Sequence, residues 1–571
     1  MRMNKSILLL GLGVVFLSSC KSTIKTITIP TGINNSINIP AKKGILTEEE
    51  KNTWSHKDLL TDSIPGMSIQ KAYEFLSNKK GVEVIVAIAD SGVDIEHEDL
   101  KNVVWVNKDE IKGNNRDDDK NGYVDDINGW NFLGNSKGEI VNADQLEITR
   151  IVKLGMVKFG NKTISEIAEN DKEEYLEYLK LKKEFEQTVA NQKNELQELK
   201  GTIIRLNEIQ NNFTAVKNFL GKDSFTAEEL RSKTPTSLKL AAQISDVLAL
   251  MQRGMKESEL LEYKKELKEY IDKQTIAKSY DLDFNARQKL GDNLYDINDK
   301  FYGNNNVIGN KDLEMHGTHV AGIVAASRNN SKGVNGIAKN VKLLTVRIVP
   351  DGDEHDKDVA LGIRYAVDNG AKIINTSFGK RFSPNKNWVY DALKYAAQND
   401  VLIVNAAGND GKNIDIRKTY PNDSKDLINE FTDNVITIGA ISLHYNKKLP
   451  ATFSNYGKIN VDIFAPGVDI YSTVPKNKYE AISGTSMAAP SVAGVAALIR
   501  SYYPQLKANQ VKHILMNSGI LINFDVIKPG SISEENPDGE LVPFSNLSVS
   551  GRIVNAYNAL KMADNITKNI K

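Results

Sequence analysis

The sequence predicts an α/β protein with parallel strands into which an α-helical subdomain is inserted. Residues 82–89 are almost continuously apolar and β-branched and end at Asp90, which indicates a buried parallel strand with a carboxylate at its carboxyl end. Residues 401–404 form another short apolar strand. Between residues 161 and 300 there are only four glycines and one proline, and Glu and Lys dominate. That composition favours helices.

The composition is that of a soluble globular protein. Of 571 residues, 40% are hydrophobic and 26% are charged. Lys plus Arg and Asp plus Glu each number 73, so the formal net charge is zero and nothing favours nucleic acid as a partner. The length exceeds one typical domain, so an additional module is expected.

Two further polar residues open predicted helices beside glycines. His316 precedes an apolar helix that continues to about residue 326, and Ser486 precedes a helix for which Pro490 suits the first turn. Together with Asp90 they stand in the chain order Asp, His, Ser, one of the known orders of the hydrolytic triad. Any one of them alone would be a cap or a buried polar group. The three with their glycine-rich flanks favour catalysis.

Three segments carry a resemblance to a known family. Residues 89–94, 316–322 and 484–490 resemble the active-site motifs of the subtilisin-like serine peptidases, the subtilases. The resemblance extends over about residues 54–141 and 311–563. It implies a doubly wound, mainly parallel sheet with helices on both faces, and a serine endopeptidase that works through an acyl-enzyme.

The chemistry assigns a role to each member of the triad. Ser486 is a weak nucleophile until a base removes its proton, and His316 is the natural base and later the acid for the leaving amine. Asp90 holds the imidazole in the correct tautomer.

Two other segments resemble parts of the subtilase site. Residues 405–410 resemble the segment whose asparagine stabilises the oxyanion, which implies that role for Asn409. Residues 376–379 resemble the edge that pairs with the substrate backbone, which implies substrate binding at Ser377 and Gly379. The acidic run at 351–358 could select basic side chains, but such a run is more often a solvated loop.

Residues 117–126 resemble the start of an EF-hand calcium loop and the calcium-loop insertion of some subtilases. Oxygen-bearing side chains alternate, but Asn128 stands where an EF-hand has its last glutamate. We expect a structural Ca²⁺ rather than a solvated turn, because stacked carboxylates repel one another without a cation. The candidate ligands are Asp117, Asp119, Asn121, the carbonyl of Tyr123, and Asp126.

The predicted helical insertion covers residues 141–310. A heptad pattern of apolar residues runs from Tyr175 to Phe213, and a break at 221–224 is followed by a capping box at Thr226 and Glu229. Further helices are expected near 237–251 and 257–278. Three roles stay open: a hairpin that packs beside the active site, an inhibitory cap, and a dimerisation arm.

The amino-terminal residues resemble a bacterial lipoprotein signal peptide. Basic residues precede an apolar stretch at 7–17 that is too short to span a bilayer, and residues 17–20 resemble a lipobox. Cys20 is the single cysteine, which implies acylation there and a membrane-anchored protein of the bacterial cell envelope, on its periplasmic or surface face. No disulfide is expected.

The sequence therefore predicts four regions: a signal peptide (1–20), a tether (21–50), a peptidase domain (51–140 with 311–565) and the helical insertion (141–310). The tether leaves hardly any room for the folded prodomain of many secreted subtilases, so the route of activation is unexplained. The motifs do not separate hydrolysis from acyl transfer to an amine. A surface binding protein that uses the insertion is the remaining alternative.

Overall fold

The computed structural model describes residues 35–40, 42, 46–276, 278–313 and 315–569. Within them the strands are β1 (Val84–Asp90), β2 (Gly129–Asn131), β3 (Val341–Arg347), β4 (Ile373–Thr376), β5 (Leu402–Ala406), β6 (Val435–Ile441), β7 (Ile463–Pro466), β8 (Ile470–Val474), β9 (Lys478–Ile482), β10 (Ile520–Leu521), β11 (Asp525–Ile527), β12 (Leu541–Pro543) and β13 (Arg552–Ile553).

The helices of the same residues fall into an amino-terminal group, an inserted group and a group that surrounds the sheet. They are α1 (Glu48–Thr53), α2 (Leu59–Asp62), α3 (Ile69–Phe75), α4 (Glu147–Phe159), α5 (Lys172–Leu220), α6 (Ala227–Arg231), α7 (Leu238–Gln252), α8 (Glu257–Ile276), α9 (His316–Ala325), α10 (Asp356–Asp368), α11 (Lys386–Gln398), α12 (Thr485–Tyr502), α13 (Ala508–Ser518) and α14 (Ala556–Lys568).

A nine-stranded, mainly parallel sheet forms the centre of the fold. Its strand order is β10-β13-β7-β6-β5-β4-β1-β3-β2, and every pair is parallel except β10 with β13. The α/β class predicted from the sequence is confirmed. Because β1, β4 and β5 run parallel, their carboxyl ends meet at one edge of the sheet. Asp90 is the last residue of β1, and residues 377 and 407 directly follow β4 and β5.

Both faces of the sheet are covered, as in a doubly wound fold. On β1, Val86 and Ile88 enter a core that includes the apolar residues of α9 and α12. The alternate residues Ala87 and Ala89 enter a second core, with α10 and α11. A strand that is buried on both faces needs a continuous apolar run rather than an alternating one, which explains the composition of β1.

Helices α4–α8 lie between β2 and α9 in the chain. Helix α5 has 49 residues and would be about 74 Å long at 1.5 Å per residue. Helix α4 packs on its first half, and α7 and α8 pack on its second half, where their apolar residues form separate small clusters. The predicted helices, the break after residue 220 and the capping box at Thr226 and Glu229 are all present.

The acidic run at 351–358 is not a solvated loop, so that interpretation was wrong. Glu354, His355, Asp356 and Asp358 are each at most 5% exposed. They lie at or just before the start of α10, where Asp356 pairs with Lys380 and Asp358 pairs with Arg287 from the inserted region. The sequence could not show this, because the cations that neutralise the run are distant in the chain.

None of the described helices has both the length and the hydropathy needed to cross a bilayer. The predicted signal peptide with Cys20, and the tether up to residue 34, lie outside the described residues.

Candidate active site

Asp90 and His316 are paired at the carboxyl edge of the sheet. Nδ1 of His316 lies 2.8 Å from Oδ1 of Asp90, and the same oxygen accepts a hydrogen bond from the backbone N–H of Ser91. The Asp90 side chain is 1% exposed, whereas that of His316 is 38% exposed. The carboxylate is therefore buried and fixed by the N–H of Ser91, while the imidazole is partly exposed and its other nitrogen, Nε2, is not used by Asp90.

This pair depends on a close approach of two backbone segments. A Cβ atom on Gly317 would lie 2.1 Å from the carbonyl oxygen of Gly92 and 3.1 Å from Oδ1 of Asp90. Gly92 itself has a φ of +127°, a region that other residues rarely adopt. Gly92 and Gly317 thus let the start of α9 touch the end of β1.

Ser486 lies in the first turn of α12 and is linked twice to the predicted substrate-binding segment. Its hydroxyl donates to the carbonyl of Ser377 at 3.0 Å, and the hydroxyl of Ser377 donates to the carbonyl of Ser486 at 2.8 Å. No hydrogen bond joins Ser486 to His316 among the described residues. The hydroxyl of Ser486 is turned toward Ser377, which directly follows β4, the neighbour of β1.

Pro490 explains why the carbonyl of Ser486 is available. The sequence predicted this proline in the first turn, but α12 begins at Thr485 and Pro490 lies in its second turn. Because proline has no N–H, the carbonyl four residues earlier, that of Ser486, receives no helical hydrogen bond. Ser377 uses that free acceptor.

Asn409 follows β5 and is fixed by its side-chain oxygen. Its Oδ1 accepts from the backbone N–H and from the hydroxyl of Thr485, both at 2.9 Å. The Nδ2 group is therefore turned away from Thr485, and a Cβ on Gly484 would lie 3.6 Å from it. The amide is in position to donate at the start of α12, next to Ser486.

The electrostatics suit His316 as a base. Burial by itself lowers the pKa of the imidazole, but the charge and the hydrogen bond of Asp90 outweigh it and raise the pKa of His316 above its usual value. One turn later, burial lowers the pKa of His319 to about 4, and its ring bonds to the carbonyl of Glu480. His319 is therefore a neutral core histidine.

A cleft of about 510 Å³ opens beside Ser486. Its lining includes the segment that contains Gly379 and residues 405–410 with Asn409. A Cβ on Gly379 would lie 3.1 Å from the carbonyl of Tyr420, which lies at the same cleft. The inserted region also contributes to the lining, through Leu146, Ile148, Glu184, Thr188 and Tyr280.

A cluster of carboxylates lies in the loop after residue 106. One ligand atom each of Glu110, Asp119 and Asp126 falls within 4.8 Å of the others. The side-chain amides of Asn107 and Asn121 donate to both aspartates. Burial raises the pKa of Asp126 to about 6, because a charged carboxylate is unfavourable away from solvent.

The structure brings together only part of the predicted calcium-ligand set. Asp119, Asn121 and Asp126 lie in this cluster, whereas the carboxylate of Asp117 accepts from the backbone N–H groups of residues 121 and 122. The predicted ligand at Tyr123 is its backbone carbonyl, which stays a prediction; the ring of this residue packs 5.1 Å from that of Trp130.

Sequence reasoning missed Glu110 and the insertion residues of the cleft. Glu110 lies seven positions before the motif, and its carboxylate is brought in by accepting the N–H groups of residues 118, 119 and 125. No local pattern marks it. The cleft residues Ile148 and Tyr280 have no motif either, since their position depends on how α4 packs against the core.

Comparison with known proteins identifies the family. The sequence profile described as the subtilase family matches residues 81–541. A thermophilic serine proteinase of Bacillus sp. (strain AK1) is 44% identical over 191 residues, which are 33% of this chain and 43% of that protein. Subtilisin DY of Bacillus licheniformis is 39% identical over 210 residues, 37% of this chain and 72% of that protein. The chain therefore belongs to the subtilase family of serine peptidases, as its motifs predicted.

The match to the thermophilic proteinase spans less than half of that protein's length. Among solved structures, the prenylagaramide maturation protease PagA is 28% identical, with a TM-score of 0.34 over 44% of this chain and 82% of that chain. The fold assignment rests on the family match and on the observed sheet.

Proposed function

We propose that the protein is a serine endopeptidase that uses Asp90, His316 and Ser486. The observation that carries this proposal is the 2.8 Å bond between His316 and Asp90, the last residue of β1. Ser486 bonds to Ser377, directly after the neighbouring strand β4, and lines one cleft with Asn409. A scaffold without activity has no need to bury a carboxylate against a half-exposed imidazole. A base with a raised pKa is the feature that activates a serine hydroxyl.

The reaction follows from these positions. The hydroxyl of Ser486 rotates from the carbonyl of Ser377 toward Nε2 of His316, which takes its proton as the oxygen attacks the peptide carbonyl. Asp90 keeps the other ring proton on Nδ1 and stabilises the imidazolium. The imidazolium then protonates the leaving amine, and water, deprotonated by His316, hydrolyses the acyl-enzyme.

The oxyanion of the tetrahedral intermediate has two donors in this arrangement. The Nδ2 group of Asn409 is oriented by the two bonds that Thr485 makes to its Oδ1. The backbone N–H of Ser486 lies at the amino terminus of α12, where helical N–H groups have no partner within the helix. Donors fixed before the reaction stabilise the charge without reorganisation.

The substrate is an extended polypeptide. Ser377 and Gly379 follow the buried strand β4; Ser377 is 3% exposed, whereas Gly379 is exposed and borders the cleft. Pairing of an extended peptide with such a segment places the scissile carbonyl next to Ser486 with little demand on sequence.

A structural Ca²⁺ completes the proposed fold. Glu110, Asp119 and Asp126 provide hard oxygen ligands, and amide oxygens of Asn107 and Asn121 become available if those side chains turn over. The bound cation would neutralise the three carboxylates. Their proximity supports a cation more than a solvated turn.

We also infer that the protein is anchored to the cell envelope through Cys20. The inference is supported by the sequence alone, because the sole cysteine ends an apolar stretch at a lipobox-like position. Growth with a labelled fatty acid tests it: the full chain should incorporate the label, and Cys20→Ser should not. Label in both chains would contradict the anchor.

The peptidase proposal is tested by digestion of unfolded casein. The chain from Lys21 onward is compared with its Ser486→Ala variant in calcium-containing buffer. We expect cleavage by the first protein only, together with labelling of Ser486 by a fluorophosphonate. Equal cleavage by both proteins, or a folded protein that neither cleaves casein nor takes the label, would contradict the proposal.

A further inference from the structure

Three consecutive residues of the peptidase domain, directly after the predicted substrate-binding segment, contact the inserted helices. Lys380 forms an ion pair with Glu147 of α4, with Nζ 2.7 Å from Oε2. Arg381 forms an ion pair with Glu184 of α5. Phe382 packs in an apolar cluster of the inserted helices that includes Ile148 of α4. The insertion is therefore attached to the core at the cleft.

The two ion pairs differ in burial. The side chains of Lys380 and Glu147 are 2% and 9% exposed, whereas those of Arg381 and Glu184 are 39% and 34% exposed. An exposed pair contributes little to geometry or stability, while breaking a buried pair leaves an uncompensated charge. The contact between Glu147 and Lys380 is the one that can hold the cleft in shape.

Lys380 is fixed at both its side chain and its backbone. The ammonium group bonds to Glu147, to the carbonyl of Glu354 at 2.7 Å and to Asp356 at 2.8 Å, which uses all three of its protons. Its backbone exchanges two hydrogen bonds, 2.9 Å and 2.8 Å long, with Tyr420, which also lines the cleft. Lys380 thus joins this part of the cleft lining to the insertion.

Glu147 is itself fixed from several directions. Its carboxylate also accepts from Arg150 at 2.7 Å, and its backbone N–H donates to Asp353 at 2.7 Å. Burial by itself raises the pKa of Glu147, but Lys380 and Arg150 lower it to about 2, so it stays ionised. This network belongs to the start of α4, outside the elements that form the sheet.

We propose that Glu147 is a positioning residue for peptide hydrolysis. Through Lys380 it holds residues 377–379 at the place where an extended substrate pairs beside Ser486. The inserted region then contributes to the function of the substrate cleft through Glu147. This inference rests on the proposed peptidase function.

The test compares two substrates that depend differently on that segment. A fluorogenic hexapeptide must pair along residues 377–379, whereas p-nitrophenyl acetate reaches Ser486 without any such pairing. For Glu147→Gln we expect kcat/KM for the peptide to fall at least tenfold, mainly through KM. The rate with p-nitrophenyl acetate should stay within twofold of the unmodified protein.

Glu174→Gln serves as the matched control. Glu174 of α5 makes an exposed ion pair with Lys158 of α4, away from the cleft, with side chains 61% and 43% exposed. Glu174→Gln makes the same change of residue type at an exposed ion pair between α4 and α5. Both substrates should therefore be turned over at unchanged rates.

Other outcomes overturn the inference. Equal loss with both substrates indicates a partly unfolded protein and no positioning role, and an unchanged peptide rate also contradicts the proposal. If Glu147→Gln does not fold, Lys380→Met removes the same contact while Glu147 keeps Arg150, and it should show the same selective loss. An unmodified chain that processes neither substrate would overturn the peptidase proposal, which is a different result from a selective effect that fails to appear.

Discussion

Nδ1 of His316 and Oδ1 of Asp90 lie 2.8 Å apart although 226 positions separate the residues in the chain. The contact joins the first residue of α9 to the last residue of β1. This contact determines both the tautomer and the basicity of the imidazole, and therefore the pH dependence of activity.

Activity should rise with pH through a midpoint above about 6.5, the ordinary histidine value. Asp90 raises the pKa of His316, so the inactive imidazolium persists to higher pH and the free base appears later. The midpoint is read from kcat/KM against pH, which reports the free enzyme.

The variant Asp90→Asn provides the control for that profile. Without the carboxylate the midpoint should move down, and kcat should fall by about 10⁴-fold because the imidazole loses its tautomer. An unmodified protein with a midpoint at or below that of Asp90→Asn would contradict the assignment.

Asn409→Ala should lower kcat by about 100- to 1,000-fold with little change in KM, the effect of losing one such donor in subtilisin. The physical reason is that Nδ2 stabilises a charge present only in the transition state. Steady-state kinetics on one peptide measure the effect. A change confined to KM would assign Asn409 to substrate binding instead.

Gly317→Ala should reduce both stability and activity, because its Cβ would meet the carbonyl of Gly92 at 2.1 Å. Overpacking of this kind costs about 1–3 kcal/mol of the free energy of unfolding. Another helical glycine, Gly201, has no atom within 4 Å of an added Cβ, so Gly201→Ala should stabilise by about 0.5–1 kcal/mol. Denaturant titration of the two variants compares them, and equal effects would contradict the close approach.

Calcium should raise the melting temperature of the metal-stripped protein. At a free calcium concentration 100 times Kd, the free energy of unfolding should increase by about 2.7 kcal/mol. Glu110→Gln should reduce that gain because it removes one of the three clustered carboxylates. The exposed neighbour Asp109 lies outside the cluster, so Asp109→Asn should keep the full gain. A melting temperature that does not change on addition of millimolar calcium would contradict the proposed Ca²⁺ site.

Much of the fold was predictable because its signals are local. The apolar run before Asp90 becomes β1, displaced by two residues at its start, and the heptad pattern becomes the single helix α5. The acidic run at 351–358 was misread for the opposite reason. Its burial depends on Lys380 and Arg287, which no local pattern connects to it.

The candidate site divides in the same way. Asp90, His316, Ser486 and Asn409 stand in short motifs whose glycines and helix starts can be read one segment at a time. Glu110 and Glu147 could not be found, because each reaches its partners only after separate segments have packed together.

Local patterns in the chain were sufficient to predict the α/β class, the family and the residue types of the site, since each depends on neighbouring residues and their periodicity. The use by Ser377 of the carbonyl that Pro490 leaves free on Ser486, and the attachment of the cleft to the insertion through Lys380, depend on the tertiary structure. These contacts join segments more than a hundred positions apart. Their geometry is set by how the sheet, α12 and the inserted helix α4 are brought together, which no single stretch of sequence encodes.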